Sequence, residues 1–320
     1  MIYQGGSMLF SKPATTIEQQ LEFLKDRGMG GDVELQRRWL ETVGYYRLSA
    51  YWLPFETAPA VGQTRTKRFR DGVEFEQIVD IYVFDRKLRL LVMEAIERIE
   101  IALRSRWTNR LSLASGAHAY LDADVFSGGF DHPLRVSQLS GRVKSSREVF
   151  VEHYQKRYRR PFLPPLWIVS ELMTLGELSR WIADTEDRSL QSDLAKDIGL
   201  PSSTTLIGTL HLLSYVRNIC AHHGRLWNRK TAKRLPLIKR FQSDLVVTET
   251  VTKGGIQRQP DNYIYNVLVA LTRLIRHQSP DSSYPDRVVE LMRKRSNADL
   301  SAMGFPEDWL ERPCWVLKAN

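Results

Sequence analysis

Cysteine is scarce in this sequence, and long apolar runs are missing. Two cysteines, Cys220 and Cys314, are too few for a disulfide framework or for a four-ligand zinc knuckle. The most apolar stretches, such as residues 88–93, are far shorter than the roughly 20 residues of a membrane-spanning helix. Residues 1–8 contain neither the basic nor the apolar segment of a signal peptide. We therefore expect a soluble, reduced, cytoplasmic protein.

Acidic residues are outnumbered by basic ones. The 320 residues include 46 Lys plus Arg against 37 Asp plus Glu, which leaves a formal net charge of +9. The fractions of hydrophobic (42%) and charged (26%) residues are ordinary for a folded globular protein. An excess of positive charge is more typical of a protein with a polyanionic partner, nucleic acid or an anionic membrane, than of one that binds a neutral metabolite.

Helical periodicity dominates the chain. Between residues 75 and 111, apolar side chains such as Ile81, Phe84 and Leu88 recur at steps of three and four, which is the pattern of one face of an α-helix. No Gly or Pro occurs within this range. The range therefore predicts one long helix, or two with a slight break.

Shorter helices are predicted at residues 17–24, 33–43, 166–183 and 203–221. Thr15 and Glu18 fit a capping box at the start of the first of these. Residues 45–52 read as core packing of the N-terminal helices, whereas residues 115–142 contain three turn signals and are expected to be irregular. Several long helices with few strand signals predict an all-α helical bundle.

These patterns divide the chain into three regions. Residues 1–72 form an N-terminal helical region, and residues 73–234 form the helical core. Residues 235–320 are predicted to be a C-terminal appendage, with helical patches at 263–276 and 285–293.

Basic residues are concentrated in three segments. The stretch from residue 198 to residue 243 has no acidic residue and contains the cations Arg217, Arg225, Arg229, Lys230, Lys233, Arg234, Lys239 and Arg240. The second segment holds Lys156, Arg157, Arg159 and Arg160, and the third holds Arg65, Lys67, Arg68 and Arg70. One such cluster is usually only a solvated face, but three together favour a phosphate-backbone partner. Tyr154, Tyr158 and Trp227 are candidates for stacking on unpaired bases, with packing as the alternative for each.

Residues 217–229 carry the side chains best suited to chemistry. Arg217 supplies a permanent cation with a planar donor fork, and His222 supplies an imidazole, a group that titrates near neutral pH. On a regular helix these two residues point about 140° apart, so they converge only where the helix ends or bends. Gly224 is the expected end, since Gly is favoured just past a helix. On spacing alone, an Arg and a His at a helix end are usually capping and surface residues.

This stretch resembles the signature of the HEPN superfamily, in which an Arg is followed after four to six residues by a His. The wider string 217–229 resembles the abortive infection (Abi) family of bacterial phage-defence proteins, of the AbiD and AbiF type. Five other blocks agree with that family in order: Lys12-Pro13 with helix 17–24, residues 45–52, residues 84–89, residues 97–104, and Pro165-Leu166-Trp167 leading to Glu171 and Leu175-Gly176. The resemblance extends roughly from residue 12 to residue 229.

The resemblance implies a HEPN-type helical bundle that acts on RNA without a metal ion or cofactor. The 2′-hydroxyl would attack its own phosphate, with His222 as general base or acid and Arg217 stabilising the phosphorane, while Asn218 matches the polar residue that commonly follows the Arg. His223 also satisfies the loose spacing, although we prefer His222.

The resemblance implies that Glu100 orients Arg217 or His222, with a surface ion pair to Arg104 as the alternative. Glu171 has a weaker claim to the same role, with a buried, hydrogen-bonded structural role as the alternative. The residues assigned to RNA binding are Arg104, His223, Arg225, Arg229, Lys230, Lys156, Arg157, Arg159 and Arg160.

The partners implied by the resemblance are RNA, single-stranded or structured, and a second copy of the chain, because HEPN sites commonly form across a homodimer. Some Abi proteins resemble toxins that a small RNA or a neighbouring protein restrains. We expect phage defence by growth arrest through endoribonuclease activity, and no membrane partner. The alternative is a non-catalytic module that binds RNA or protein. A metalloenzyme is disfavoured, because His222 and His223 point about 100° apart and have no Cys or carboxylate at a familiar ligand spacing.

Overall fold

The computed structural model describes residues 13–59, 62–252 and 255–316; residues 1–8 and Lys12, to which the sequence predictions refer, lie outside the described residues. Across these ranges the chain forms thirteen α-helices and one two-stranded β-hairpin. The predicted all-α class is therefore confirmed. In the part of the chain that is described, no helix has the length and apolar character needed to cross a membrane.

The contacts divide the chain into two compact units, Met1–Arg86 and Lys87–Asn320. The division falls within the long helix that begins at residue 75. The signature residues and everything after them belong to the second unit. The three-region division at residues 72 and 234 stays a prediction.

The first unit contains α1 (Ile17–Asp26), α2 (Val33–Thr42) and α3 (Tyr45–Trp52). A capping box does open α1, but it lies one residue later than predicted. The Thr16 hydroxyl accepts a hydrogen bond from the Gln19 backbone N–H at 3.3 Å, and the Thr16 N–H donates to the Gln19 side-chain oxygen at 2.9 Å. The predicted pair Thr15–Glu18 was wrong, because Thr16 has an extended backbone and Ile17 is the first helical residue.

Helix α3 supplies most of the aromatic packing in this unit. Leu48, Tyr51 and Trp52 are buried, which confirms the predicted core role of residues 45–52 for these three. The Trp52 ring packs edge-on against Tyr45, with 4.9 Å between ring centroids. Tyr46 is 92% exposed, so the prediction was wrong for that side chain.

Helix α4 (Phe75–Ser115) is a single helix of 41 residues, and its residues from Lys87 onward belong to the second unit. The predicted stripe is buried there, with Leu88, Ile99 and Leu103 at most 1% exposed. Burial of such a stripe is the main source of helix stability in proteins. The prediction of a long, uninterrupted helix is confirmed.

Two expectations for the middle of the chain were wrong. Residues 115–142 are not all irregular, because α5 runs from His132 to Ser145. Pro133 is the second residue of α5, a position where the missing N–H costs no hydrogen bond, and the Asp131 carboxylate accepts from the Leu134 N–H at 3.2 Å. The turn signal at Pro133 was in fact a helix start.

The predicted helix 166–183 is broken in two. Helix α6 (Val149–Arg157) precedes it, and α7 (Leu166–Val169) is separated from α8 (Leu175–Ala183) by a 3-10 turn. Thr174 is the cause of the break, because it caps α8 through a reciprocal pair of hydrogen bonds with Glu177, at 2.8 and 3.3 Å. A capping residue has an extended backbone and cannot continue the preceding helix.

Helices α9 (Arg188–Asp197) and α8 pack on α10, which spans Ser203–Ala221 as predicted. The apolar side chains of α10 that are buried in the core include Leu206, Leu210 and Leu213. The Ser202 hydroxyl caps α10 by accepting from the Thr205 N–H at 3.2 Å. The packing fixes the axis of the helix that carries the signature.

The C-terminal part contains a hairpin that the sequence predictions missed. Strands β1 (Val247–Thr252) and β2 (Gly255–Pro260) pair antiparallel, and β1 is rich in the β-branched residues that favour strands. Helices α11 (Ile264–Gln278), α12 (Tyr284–Arg293) and α13 (Asn297–Ala302) follow. The first nine residues of α11 are all buried, whereas its charged residues Arg273, Arg276 and His277 lie in the last turns and are not.

Candidate functional site

The signature lies at the C-terminal end of α10, where the helix closes in a Schellman motif. His222 is the capping residue, the His223 N–H donates to the Cys220 carbonyl at 3.0 Å, and the Gly224 N–H donates to the Ile219 carbonyl at 2.8 Å. This pair of bonds satisfies carbonyl groups that the end of a helix leaves free. The helix therefore ends where the sequence predicts.

The reason for the helix end differs from the prediction. The left-handed residue is His223, with a φ of 57°, and not Gly224. Gly224 avoids crowding instead, because a Cβ there would lie 3.1 Å from the backbone oxygen and from Cγ2 of Ile219. The close return of the chain past Ile219 thus favours a residue without a side chain.

Arg217, Asn218 and His222 lie on adjoining sides of the last turns of α10. The Arg217 Nη1 donates to the Asn218 side-chain oxygen at 3.4 Å. Asn218 and His222 are exposed, whereas Arg217 is half-buried. Among the residues that the structure describes, no hydrogen bond or ion pair joins the His222 imidazole to Arg217. Helix α10 runs unbroken to Ala221, directly before His222, so helix geometry keeps Arg217 and His222 about 140° apart within one chain.

Glu100 and Arg104 form an ion pair on α4, next to the signature helix. The Arg104 Nη2 donates to the Glu100 carboxylate at 2.6 Å, and only 12% of the Arg104 and 16% of the Glu100 side chain is exposed. Burial raises the pKa of Glu100, and the positive charges of Arg104 and Arg217 oppose that shift. Arg217 therefore lies within electrostatic reach of the Glu100 carboxylate, as an orienting role requires.

Arg104 also binds the segment between α7 and α8. Its Nη2 donates to the Met173 carbonyl at 2.9 Å, and its Nη1 donates to the Glu171 carboxylate at 3.3 Å. The Glu171 side chain is 52% exposed. The Arg104 guanidinium thus donates to three acceptors within the protein, and one of them is Glu171. The charge of Arg217, in contrast, acts on Glu100.

In the segment that follows the end of α10, the basic side chains make contacts with aromatic rings and with the backbone. Arg225 lies over the Trp227 ring at 5.8 Å, and the Arg229 Nη1 donates to the Arg225 carbonyl at 3.3 Å. Lys230 is exposed and lies 4.9 Å from the centre of the Tyr263 ring. His223 is exposed beside them. These contacts place the assigned RNA-binding residues 223–230 on a short, ordered segment.

The second basic cluster lies at the end of α6 and in the loop that follows. Lys156, Arg157, Arg159 and Arg160 are all exposed. Lys156 pairs with Glu152 at 3.3 Å, a surface ion pair. Four exposed cations in five residues make a concentrated positive surface.

The stacking interpretation is wrong for two of its three aromatic residues. Trp227 is 2% exposed and Tyr154 is 7% exposed, and the Tyr154 hydroxyl donates to the Pro161 carbonyl at 2.9 Å. Tyr158 is 53% exposed. Of these three residues, Tyr158 alone has an exposed ring on which a base can stack.

The third basic cluster belongs to the first unit. Arg65 forms an ion pair with the buried Glu56, and Arg70 donates to the Pro54 carbonyl at 3.1 Å. Lys67 and Arg68 are exposed. Two of its four cations are therefore engaged within the protein.

One residue near the signature was missed by the sequence predictions. Arg89 on α4 is only 7% exposed, and its Nη1 donates to the Gly224 carbonyl at 3.4 Å. The two residues are 135 positions apart, and no local pattern indicates their contact. In the described ranges, no three His, Cys, Asp or Glu side chains come together as metal ligands.

The fold and the site together define a class of all-α proteins in which a buried Glu–Arg pair on one helix lies next to the capped Arg–His end of another. The sequence model of the Abi-like protein family matches residues 38–228, more than half of the chain. The chain therefore belongs to the Abi-like protein family. This membership supports a role in abortive infection, a form of phage defence. Neither the curated proteins nor the solved structures gave a match.

Proposed function

We propose that this Abi-like protein binds RNA and cleaves it as a metal-independent endoribonuclease of the HEPN type, and that the cleavage arrests growth during phage infection. The observation that supports this most directly is that Arg217, Asn218 and His222 lie at the end of α10 and that the charge of Arg217 acts on Glu100 of α4. Arg217 interacts with the Glu100 charge and with the Asn218 side chain, and the His222 imidazole is exposed to a substrate.

In this proposal the RNA supplies its own nucleophile. The 2′-hydroxyl attacks the adjacent phosphorus, the bond to the 5′-oxygen breaks, and the products carry a 2′,3′-cyclic phosphate and a 5′-hydroxyl. His222 accepts the proton of the 2′-hydroxyl or delivers a proton to the leaving 5′-oxygen. Arg217 stabilises the negative charge that accumulates on the phosphorane. Glu100 and Asn218 orient the Arg217 guanidinium.

A homodimer is part of the proposal. Within one chain, Arg217 and His222 point away from each other around α10, so a single chain does not present both groups to one phosphate. Two copies that meet at the ends of their α10 helices would bring Arg217 of one to His222 of the other. The exposed positions of Asn218 and His222 leave this end of α10 accessible to a second copy.

The basic surface of the protein supports binding of RNA over a neutral substrate. Lys156, Arg157, Arg159 and Arg160 are exposed cations, and the exposed ring of Tyr158 lies among them. Cations bind the phosphate backbone regardless of sequence, and an aromatic ring stacks on an unpaired base. We assign this cluster to substrate binding and the end of α10 to cleavage.

The test is cleavage of labelled single-stranded and transfer RNA by the purified protein in EDTA. Arg217→Ala and His222→Ala are each expected to lower the rate by about 100-fold or more. His211→Ala is the matched control, since His211 is an exposed histidine on the same helix, and its rate should equal that of the wild type. The products should end in a cyclic phosphate. Cleavage that survives both signature variants, or that requires a divalent metal ion, contradicts the mechanism.

The homodimeric site has its own experiment. Arg217→Ala and His222→Ala proteins are mixed and allowed to exchange subunits. If each site combines Arg217 of one copy with His222 of the other, every mixed dimer retains one intact pair, and cleavage should reappear. Failure of the mixture to cleave, although differently tagged copies of the two variants co-purify as mixed dimers, would assign both groups to the same chain.

A second candidate function is a non-catalytic RNA-binding module. It is favoured by the separation of His222 from Arg217 within one chain. Because of this separation a single chain has no assembled active site, although its basic surface can still bind RNA. Tight RNA binding without cleavage, unchanged in Arg217→Ala and His222→Ala, would support this candidate over the nuclease.

A further inference from the structure

A cavity of about 280 Å³ lies in the second unit, away from the signature. Its lining residues come from the loop after α9, from the 3-10 turn Lys239–Phe241 and from the last turns of α11. They are Gly199, Arg240, Phe241, Arg273, Arg276 and His277. Three arginines and a histidine in a single small cavity, with no acidic side chain among the lining residues, form a strongly cationic site.

The charge of this cavity is only partly compensated. Arg273 forms an ion pair with Asp244, which is fully buried. Arg276 donates to the backbone carbonyls of Pro313 and Val316, at 3.3 and 3.1 Å, which hold its guanidinium in place but leave its charge unpaired. Arg240 makes no ion pair or hydrogen bond with any other residue in the described ranges. Two of the three guanidinium groups therefore carry uncompensated charge into the cavity.

The arginines also affect each other. Partial burial lowers the pKa of Arg240, although the residue is largely exposed, and the positive charge of Arg273 lowers it further. Arg273 and Arg240 both lie over the Phe241 ring, at 6.0 and 5.4 Å from its centre. Two cations that share one aromatic ring remain close together in spite of their repulsion. An anion between them would relieve that repulsion.

Gly199 shapes one wall of the cavity. Its φ is +92°, and a Cβ at this position would lie 2.7 Å from the His277 ring. Any side chain at residue 199 would therefore displace His277, which lines the same cavity. The absence of a side chain keeps this wall open.

We propose that this cavity binds the phosphate group of a small phosphate ester. Guanidinium groups match phosphate oxygens through paired N–H donors, and Arg240 and Arg276 have the uncompensated charge that a phosphate dianion requires. The volume is just below the roughly 300–1,000 Å³ of ordinary small-molecule sites, so it suits a phosphate with a small attached group. The nineteen residues of α10 span about 27 Å, and they separate Gly199 from the signature at the opposite end. The cavity therefore shares no residue with the proposed nuclease site.

The test is calorimetric titration of the full chain with inorganic phosphate, with adenosine monophosphate and with a short single-stranded RNA, at constant ionic strength. Saturable binding of phosphate and of the monophosphate is expected for the wild type. Arg240→Gln should weaken that binding by about tenfold or more, since it removes charge-assisted hydrogen bonds, and Arg276→Gln should do the same. Arg293→Gln is the control, because Arg293 is an exposed arginine of α12 outside the cavity, and it should bind like the wild type.

Arg276→Gln also removes contacts to residues 313 and 316, so its thermal unfolding is measured in parallel. Arg240→Gln decides the outcome if the Arg276 variant does not fold, because the Arg240 side chain is exposed and bonds to no described residue. Absence of saturable binding, or equal binding by the wild type and Arg240→Gln, overturns the proposal. A third outcome is that the wild type binds neither phosphate nor the monophosphate but binds RNA, and that Arg240→Gln loses this RNA binding. That outcome would assign the cavity to an RNA-binding surface and would also overturn the proposal.

Discussion

Arg104 and Glu100 are paired within α4 across one helical turn, with 2.6 Å between the guanidinium and the carboxylate. The same spacing on a solvated helix face is worth only about 0.3–0.5 kcal/mol. Here both side chains are largely buried, and the Arg104 guanidinium also binds the Met173 carbonyl. The pair therefore connects α4 to the segment before α8 and holds the carboxylate next to Arg217.

Replacement of Arg104 by Met should destabilise the protein by about 2–3 kcal/mol, because it leaves the buried Glu100 carboxylate and the Met173 carbonyl without their donor. Urea unfolding measures the change. Lys156→Met is the matched control, since Lys156 forms an exposed pair with Glu152 at the same spacing, and it should cost less than about 1 kcal/mol. Equal losses in the two variants would show that burial of the Arg104 pair is unimportant.

Replacement of Glu100 by Gln should change how stability depends on pH. The pKa of Glu100 is raised in the folded protein, so the folded state holds this proton more tightly than the unfolded chain. Its contribution is fully present below the pKa of an unfolded glutamate, about 4, and is lost as the pH rises through the higher folded value. The unfolding free energy of the wild type minus that of Glu100→Gln should therefore fall with rising pH in this window. A pH-independent difference would contradict the raised pKa.

Replacement of His223 by Gly should preserve cleavage and distinguish the two adjacent histidines. His223 has a φ of 57°, and Gly adopts this left-handed conformation without a steric cost. The helix end should therefore survive, and RNA cleavage should remain within about threefold of the wild-type rate, whereas His222→Ala abolishes it. Loss of cleavage in a His223→Gly protein with an unchanged melting temperature would identify His223 as the catalytic residue.

Replacement of Gly141 by Ala should stabilise the protein by about 0.5–1 kcal/mol. Gly141 is an exposed residue within α5, and a Cβ there would meet no atom within 4 Å, so Ala gains helix propensity at no steric cost. Gly224→Ala is the opposite case, because its Cβ would lie 3.1 Å from two Ile219 atoms, and it should destabilise by about 1 kcal/mol or more. Thermal unfolding of both variants tests the pair, and a shift of the same sign in both would refute the steric account of Gly224.

The parts of the fold that the sequence predicted correctly are those with a local cause. Helices α4 and α10 follow from unbroken apolar periodicity, and the end of α10 follows from the residues after Ala221. The predictions that failed rested on residues that are compatible with two different local structures. Pro133 marks a turn or the first turn of a helix, and Thr174 in the predicted helix 166–183 is a cap that ends one helix and starts another. The β-branched residues of β1 favour a strand, but the helical periodicity of the rest of the chain dominated the prediction.

The environment of the site was less predictable than its residues. The sequence singled out Glu100 and Arg217, but not the burial of Glu100 or the charge interaction between them, because both depend on the tertiary structure around the two residues. The contact of Arg89 with the Gly224 carbonyl joins residues far apart in the chain, and the cationic cavity is built from three separate segments. Such features arise only when the chain is folded.

The Schellman motif at the end of α10 fixes the length of the signature as well as its direction. One residue inserted between Asn218 and Ala221 would rotate His222 by about 100° around the helix axis and would place another residue in the left-handed position. One residue deleted there would move Gly224 away from Ile219, where a Cβ would lie 3.1 Å from two Ile219 atoms and would crowd them. This part of the chain therefore accepts substitutions at single positions far more readily than it accepts any change in the number of residues.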